Sequence, residues 1–302
     1  MLKIIIFILL FIIIFYIYFY KEEDYEYNYK DYNYIIELYS PAHLGDSVFD
    51  SFYFNYIKDF LEKENIKINY YINKEYHNQI KEFIISDNIK IKEYQEKGLN
   101  IHIINKKFKN NYNNNTIKHF IFYFSKLIYD IHYINFYNEL SEKLNIPVKL
   151  TEFVYRNPKL ISSYNLLPEK YKDLDILIIN SIPHSGQFKF IDKDWYNLIY
   201  KLKNYKIAVT NKININNIPC TLDDKLTIFQ IAAISTKSKI IIGINTGPMA
   251  GVFNEYTLNY TKKIYLFDKK ITYSYKIVNN KKNINEINLK EINYIIKNFF
   301  YN

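Results

Sequence analysis

Three short stretches hold residue types that could bind an anion or move a proton. The first is "HLGDS", His43 to Ser47, where a carboxylate, Asp46, follows a glycine, Gly45. A carboxylate within hydrogen-bond reach of a substrate hydroxyl can take its proton. The second is "IPHSGQFKF", Ile182 to Phe190. Ser185, Gly186 and Lys189 supply a hydroxyl, accessible amides and an ammonium, which together suit a phosphate. The third is "NTGPM", Asn245 to Met249. Thr246 brings a hydroxyl, Gly247 leaves backbone amides open to an anion, and Pro248 suits the first turn of a helix, where its missing N–H costs nothing. The chain has only 6 glycines in 302 residues, and five of them (Gly45, Gly186, Gly243, Gly247 and Gly251) lie in or beside these stretches.

Each stretch also has a purely structural reading. Asp46 or Ser47 can cap a helix N-terminus. His43 can be an ordinary loop residue. The second stretch contains neither GxxxxGK[ST] nor GxSxG, so by itself it is a strand-to-helix loop. The third can be a turn with glycine for geometry.

The elements around the stretches give them a place. "YIIELY", residues 34–39, reads as a strand, and a helical pattern of Phe49, Phe52, Tyr53, Tyr56, Ile57, Phe60 and Leu61 begins at Ser47. Residues 66–72 and 99–104 read as further strands, "KEYHNQIKEFI" as a short helix, and 117–144 as largely helical. A second series starts after Pro168 with strands at 174–181, 205–210, 239–244 and 262–267. Helices are expected from Asp192 to Lys203, over "KLTIFQIAAIS" with Asp224 near its cap, and over 289–300. Alternating strands and helices imply parallel sheets with right-handed crossovers. The expected fold class is therefore α/β, two Rossmann-like domains facing a cleft, over 34–165 and 166–302. In such sheets ligands bind beyond the carboxyl ends of the strands, where all three stretches fall.

Composition excludes several classes. Lys+Arg is 40 against Asp+Glu 31, but Arg156 is the single arginine. Bidentate reading of bases and phosphates favours arginine, so the basicity reads as a lysine-coated surface and no nucleic-acid partner is expected. The lone Cys220 excludes an intrachain disulfide and a cysteine-based zinc site. "LDD", residues 222–224, is not a DxD motif, and no metal is expected. The run from Ile4 to Tyr20 is free of charge and, at about 1.5 Å per residue, long enough to cross a thin bilayer. No small-residue cleavage site follows it, so residues 1–21 read as an uncleaved membrane anchor and 22–33 as a polar stalk. Lys3 precedes the run and Glu22, Glu23 and Asp24 follow it, which places the N-terminus in the cytosol and the body in a lumen or outside.

In their order along the chain, these motifs resemble the heptosyltransferase-like glycosyltransferases of family 9. Gly45-Asp46 opens a helix after the first strand. "NSIPHSGQFKFIDKDW", Asn180 to Trp195, looks like the family's Ser/Thr-rich loop with its lysine, here Lys189. "IIIGINTGPMAG" matches a hydrophobic strand followed by G-x-D-[ST]-G-[PL]-x-H, with Asn245 in place of the aspartate and Ala250 in place of the histidine. The resemblance spans roughly Ile35 to Phe267. It implies the GT-B fold and transfer of a sugar from a nucleotide-sugar to a glycan, lipid or protein acceptor, without cofactor or metal. Carried over residue by residue, Asp46 is the general base, flanked on the acceptor side by His43, Gly45 and Ser47. Ser185, Gly186, Lys189, Asn245, Thr246, Gly247 and Pro248 hold the donor diphosphate. Asn245 can hydrogen-bond but cannot serve as a base. That departure, with Ala250, supports the alternative of a non-catalytic glycan- or nucleotide-binding protein of the same fold. A third reading, an NAD enzyme, lacks GxGxxG after any strand. It fails if Asp46 and the Thr246-Gly247-Pro248 turn face each other in one cleft, whereas side chains plugging that cleft would remove the enzyme reading.

Overall fold

The computed structural model describes residues 34–40, 43–94, 116–120, 133–151, 154–183, 191–267 and 284–286. Two parallel sheets carry the chain. The first contains β1 (Tyr34–Tyr39), β2 (Ile66–Asn73), β3 (Ile89–Tyr94) and β4 (Thr116–Phe120), in the order β3-β2-β1-β4. Its helices are α1 (Leu44–Lys63), α2 (Lys74–Ile80) and α3 (Tyr133–Lys143). A connecting helix, α4 (Lys159–Asn165), leads to the second sheet. There β5 (Ile176–Ile179), β6 (Ile207–Val209), β7 (Ile240–Gly243), β8 (Lys263–Leu266) and β9 (Ile284–Glu286) run in the order β6-β5-β7-β8-β9. The helices of this half are α5 (Asp192–Leu202), α6 (Ile228–Ser235), α7 (Gly247–Val252) and α8 (Glu255–Tyr260).

β5, β6 and β7 of the second sheet are short apolar runs because both faces are covered, as parallel sheets require. Leu177 and Ile179 of β5, Ile241 of β7, and Ile264 and Leu266 of β8 point into one core. Their neighbours Ile176, Ile178, Ile242 and Tyr265 point the other way, onto Trp195, Leu198, Ile199 and Leu202 of α5. The first core continues without a break into the other half of the molecule, through Phe52, Ile57, Ile68, Tyr70 and Phe83. The two halves are thus built on a common apolar interior.

Tyr155 joins them. Its N–H donates to Phe253 O at 3.3 Å and its carbonyl accepts from Glu255 N at 2.9 Å, both in the second half. Its ring stacks on Phe52 of α1 at 4.6 Å, and its hydroxyl donates to Phe83 O at 2.7 Å. Phe83 in turn meets Phe229 of α6 edge-on at 5.1 Å, and Gln79 Oε1 accepts from Ile228 N at 2.8 Å. α4 packs against α6.

The structure revises several elements. α1 begins at Leu44, three residues before the periodic apolar pattern, because the first turn carries Gly45 and Asp46 rather than apolar residues. "IKIKEY" is a strand, β3; its alternation of isoleucine with charged residues is the period-2 mark of a half-exposed strand. The strand expected at 99–104 and the helix at 289–300 lie outside the described residues. Residues 116–120 form β4, paired in parallel with β1, where a helix was expected. Asp224 does not stand at a helix start: α6 is capped by Thr227, whose side chain accepts from Gln230 N. Asp224 instead accepts from the buried Tyr171 hydroxyl at 2.6 Å and pairs with Lys170, and these two contacts hold its carboxyl below the usual range.

The N-terminal run at 4–20 also lies outside the described residues. No helix among the described residues is long and apolar enough to cross a membrane.

Candidate functional site

A ligand crevice forms where neighbouring strands send their connections to opposite sides of a parallel sheet. In the order β3-β2-β1-β4 this point lies between β1 and β4, and in the order β6-β5-β7-β8-β9 it lies between β5 and β7. The stretch after β1 is "HLGDS", the one after β5 leads into "IPHSGQFKF", and the one after β7 is "NTGPM". All three therefore begin at the strand ends where the topology opens a crevice.

His43 is the N-cap residue of α1, with extended backbone (φ −76°, ψ 168°). Gly45 and Asp46 are its second and third helical residues. The Asp46 carboxylate reaches back and accepts the His43 N–H at 3.1 Å, which fixes the carboxylate at the mouth of the helix. Asp46 is half-buried and His43 exposed. The helix cap thus involves Asp46, but through a reach-back contact rather than at the cap position. Ser47 is fully buried, its hydroxyl 3.5 Å from His43 O, so it belongs to the packing of the first turn.

On the other side, Thr246 is the extended N-cap residue of α7 (φ −137°, ψ 174°), followed by Gly247 and Pro248. The first intrahelical donor is Ala250 N, to Thr246 O at 3.0 Å. The Gly247 and Met249 amides precede it and take no part in the helix ladder. Asn245, Thr246, Gly247 and Pro248 are all half-buried, neither sealed in the core nor fully on the surface. Ala250 is 1% exposed and packs in the shared interior, so this position presents no polar group to solvent.

The two turns meet. A β-carbon built on Gly45 would lie 3.5 Å from Gly247 Cα, 3.6 Å from Gly247 N and 3.9 Å from the Thr246 carbonyl carbon. A β-carbon on Gly247 would lie 3.3 Å from Leu44 Cγ and 3.2 Å from Ile228 Cδ1. One on Gly251 would lie 3.1 Å from Ala232 Cβ on α6 and 3.3 Å from Phe83 in the first half. The glycines serve close approach here: backbone meets backbone across the junction of the two halves, with Asp46 the residue next to that contact. Their clustering in the sequence has this physical cause, and a turn with left-handed backbone plays no part in it.

The environment of Asp46 is acidic and aromatic. Tyr76 of α2 has its hydroxyl pKa raised, first by burial and then by the charges of Glu75 and Asp46. Ser185, Gly186 and Lys189 lie outside the described residues. The nearby strand end is ordered by Asn180, whose side chain accepts from Thr210 N at 3.0 Å and Asn211 N at 2.8 Å, and by Ser181, which donates to Thr210 at 2.8 Å. A groove of about 540 Å³ lies on the β6 side of the second sheet, lined by Lys193, Tyr196, Lys212 and their neighbours. The junction is a separate place, where the backbone beside Asp46 meets the Thr246-Gly247 turn. The sequence had drawn attention to each turn but not to Tyr155 or Gln79, which tie the halves together. Their tyrosine and glutamine types are too common in this chain to stand out.

No protein-family profile matches the chain, and no curated protein sequence matches it. Among solved structures it is similar to a family 9 glycosyl transferase from Veillonella parvula, with a TM-score of 0.52 and 12% identity over 93% of this chain and 94% of that one. It is also similar to E. coli heptosyltransferase WaaC, solved with ADP-2-deoxy-2-fluoro heptose, with a TM-score of 0.54 and 9% identity over 87% of this chain and 99% of that one. A third similar structure is the E. coli ADP-heptose LPS heptosyltransferase II, with a TM-score of 0.50 and 8% identity over 83% and 89%. At such identities the likeness is one of fold. It gives the chain the two-sheet GT-B architecture of these enzymes.

Proposed function

We propose that the chain is a glycosyltransferase that moves a sugar from a nucleotide-sugar donor to a hydroxyl of a glycan, lipid or protein acceptor. The observation that carries this reading is the contact of Gly45 with Gly247. It sets the backbone next to Asp46 against the Thr246-Gly247 turn, each at the crevice point of its own sheet. A two-substrate transfer needs this arrangement: a base on one side and a diphosphate cradle on the other. The fold shared with the nucleotide-sugar enzymes above supports the same reading. An NAD enzyme is disfavoured by the same contact.

In the proposed reaction, Asp46 takes the proton of the acceptor hydroxyl. The oxygen attacks the anomeric carbon of the donor sugar as the bond from that carbon to the diphosphate oxygen breaks. The nucleoside diphosphate leaves with the electron pair. Thr246, the Gly247 amide and Asn245, together with Ser185, Gly186 and Lys189, stabilise its charge. Fixed donors are effective because they need not reorganise as charge develops. Pro248 sets the first turn of α7, and His43 and Ser47 hold the first turn of α1 on the acceptor side. No metal or cofactor takes part in this scheme. Residues 4–20 anchor the enzyme in a membrane, with the N-terminus cytosolic and the body lumenal or extracytoplasmic, which favours an acceptor in or near that membrane.

Asn245 and Ala250 favour a second reading, a binding protein that has kept the fold but lost the chemistry. A screen of nucleotide-sugars for hydrolysis and transfer separates the two. ADP-linked sugars come first, since similar enzymes are solved with ADP and an ADP-sugar. The expected result is turnover of at least one donor. Saturable binding of nucleotide-sugars with no turnover of any would establish the second reading.

A further inference from the structure

Asp50 lies one helical turn beyond Asp46 on α1 and is fully buried. Both of its carboxylate oxygens are engaged. Tyr70 of β2 donates its hydroxyl to Oδ2 at 2.6 Å, and Tyr137 of α3 donates to Oδ1 at 2.8 Å. Tyr137 is itself braced by a ring stack on Tyr53 at 4.8 Å, and the Tyr53 hydroxyl meets Ser141 at 3.0 Å. Burial, and then the negative charge of Asp50, raises the Tyr70 pKa well above the ordinary phenol value, so this hydroxyl remains a donor across the working pH range.

A buried carboxylate is a poor means of stabilising a fold, because apolar residues of similar volume often do as well. Its placement suggests another reason for it. Residues four apart on a helix share a face, with β-carbons about 5–6 Å apart. Asp50 therefore stands directly behind Asp46. Phenol donors stabilise its charged form without neutralising it as a lysine would. A negative charge at that range opposes the ionisation of Asp46 and makes it a stronger base, against the opposite pull of the helix N-terminus. Groups near this pair among the described residues include His43 at the N-cap of α1, the Ser40 and Ser47 hydroxyls near Tyr70, and Glu75 and Tyr76 on α2. The Thr246 to Pro248 turn contributes no ionisable side chain.

We propose that Asp50 is a positioning residue for Asp46: it ties the first turns of α1 to β2 and α3, and its charge raises the proton affinity of the Asp46 carboxylate. The catalytic importance of this role rests on Asp46 being the base. The electrostatic link itself does not.

The test is a carbon-13 NMR titration of the Asp46 carboxyl in the full chain, alongside the pH profile of transfer. In Asp50→Asn the Asp46 midpoint is expected to fall by about one pH unit. The acid limb of kcat should move with it, and kcat should fall about three- to tenfold with KM little changed. Tyr137→Phe keeps the carboxylate but removes one donor, so Asp50 protonates at higher pH and the Asp46 midpoint falls in the same direction. This variant serves if Asp50→Asn does not fold. An unmoved Asp46 midpoint in a folded variant would overturn the proposal, even in an active enzyme. A midpoint that shifts in the variant, with no transferase activity in the parent, would uphold the link and overturn the enzyme reading.

Discussion

Asp46→Asn is expected to lower kcat/KM for sugar transfer by about 10²–10⁴-fold while the protein stays folded. The amide keeps an oxygen that can still accept the His43 N–H, now bonded at 3.1 Å, so the first turn of α1 retains its reach-back contact. Only the ability to take a proton is lost. This makes asparagine a sharper probe than alanine, which would remove the contact as well and mix a loss of structure into the loss of rate. Donor binding should change little, because the diphosphate is assigned to the opposite turn. The measurement is a set of initial rates against donor and acceptor concentration for both proteins, with thermal unfolding as a control. Undiminished transfer in the variant would mean that another group accepts the proton.

Tyr155→Ala is expected to cost about 3–5 kcal/mol of stability, the range for truncating a large aromatic in a core. The ring is fully enclosed, stacked on Phe52, and its hydroxyl satisfies the Phe83 carbonyl. The loss falls at the seam, between α1 and the turn that leads into α8. It should therefore also loosen the approach of Gly45 to Gly247 and depress transfer. Tyr155→Phe should cost only about 1 kcal/mol, since it leaves the ring in place and the Phe83 carbonyl still accepts from Asn55 Nδ2 at 3.1 Å. Urea unfolding of the three proteins tests both figures. Because the apolar interior is continuous across the halves, the parent should unfold in one transition, with the midpoint shifted in Tyr155→Ala. Two separate transitions in the parent would contradict the shared core.

Much of this molecule was legible in its residues, for identifiable reasons. β5 and β7 are apolar runs bounded by turn residues, and β1 and β2 are rich in isoleucine and tyrosine, both marks of strands. The glycine-bearing turns stand out because glycine is so scarce in the chain. What composition could not show was why the glycines matter. Close approach is a relation between Gly45 and Gly247, some two hundred residues apart, and no local pattern records it. β3 was hidden because lysines interrupt it, although its alternation with Ile89 and Ile91 carries the strand period. β4 was hidden because its apolar positions continue into a longer run that equally suits a helix. Asp50 passed as an ordinary polar residue on a helix; only its burial between two tyrosines distinguishes it. Asp224 looked like a cap because acidic residues favour helix starts, but Thr227 with Gln230 three residues later is the stronger signal.

The central claim is that the Gly45-Asp46 and Thr246-Gly247 turns form one donor-and-acceptor site. Its most direct test is a crystal structure of the full chain with a nucleoside diphosphate. The account predicts the diphosphate within hydrogen-bond distance of Thr246 and the Gly247 amide, with its terminal phosphate directed toward the Asp46 carboxylate. A nucleotide bound elsewhere, for example in the groove beside Lys193 and Lys212, with the junction left unoccupied, would contradict it.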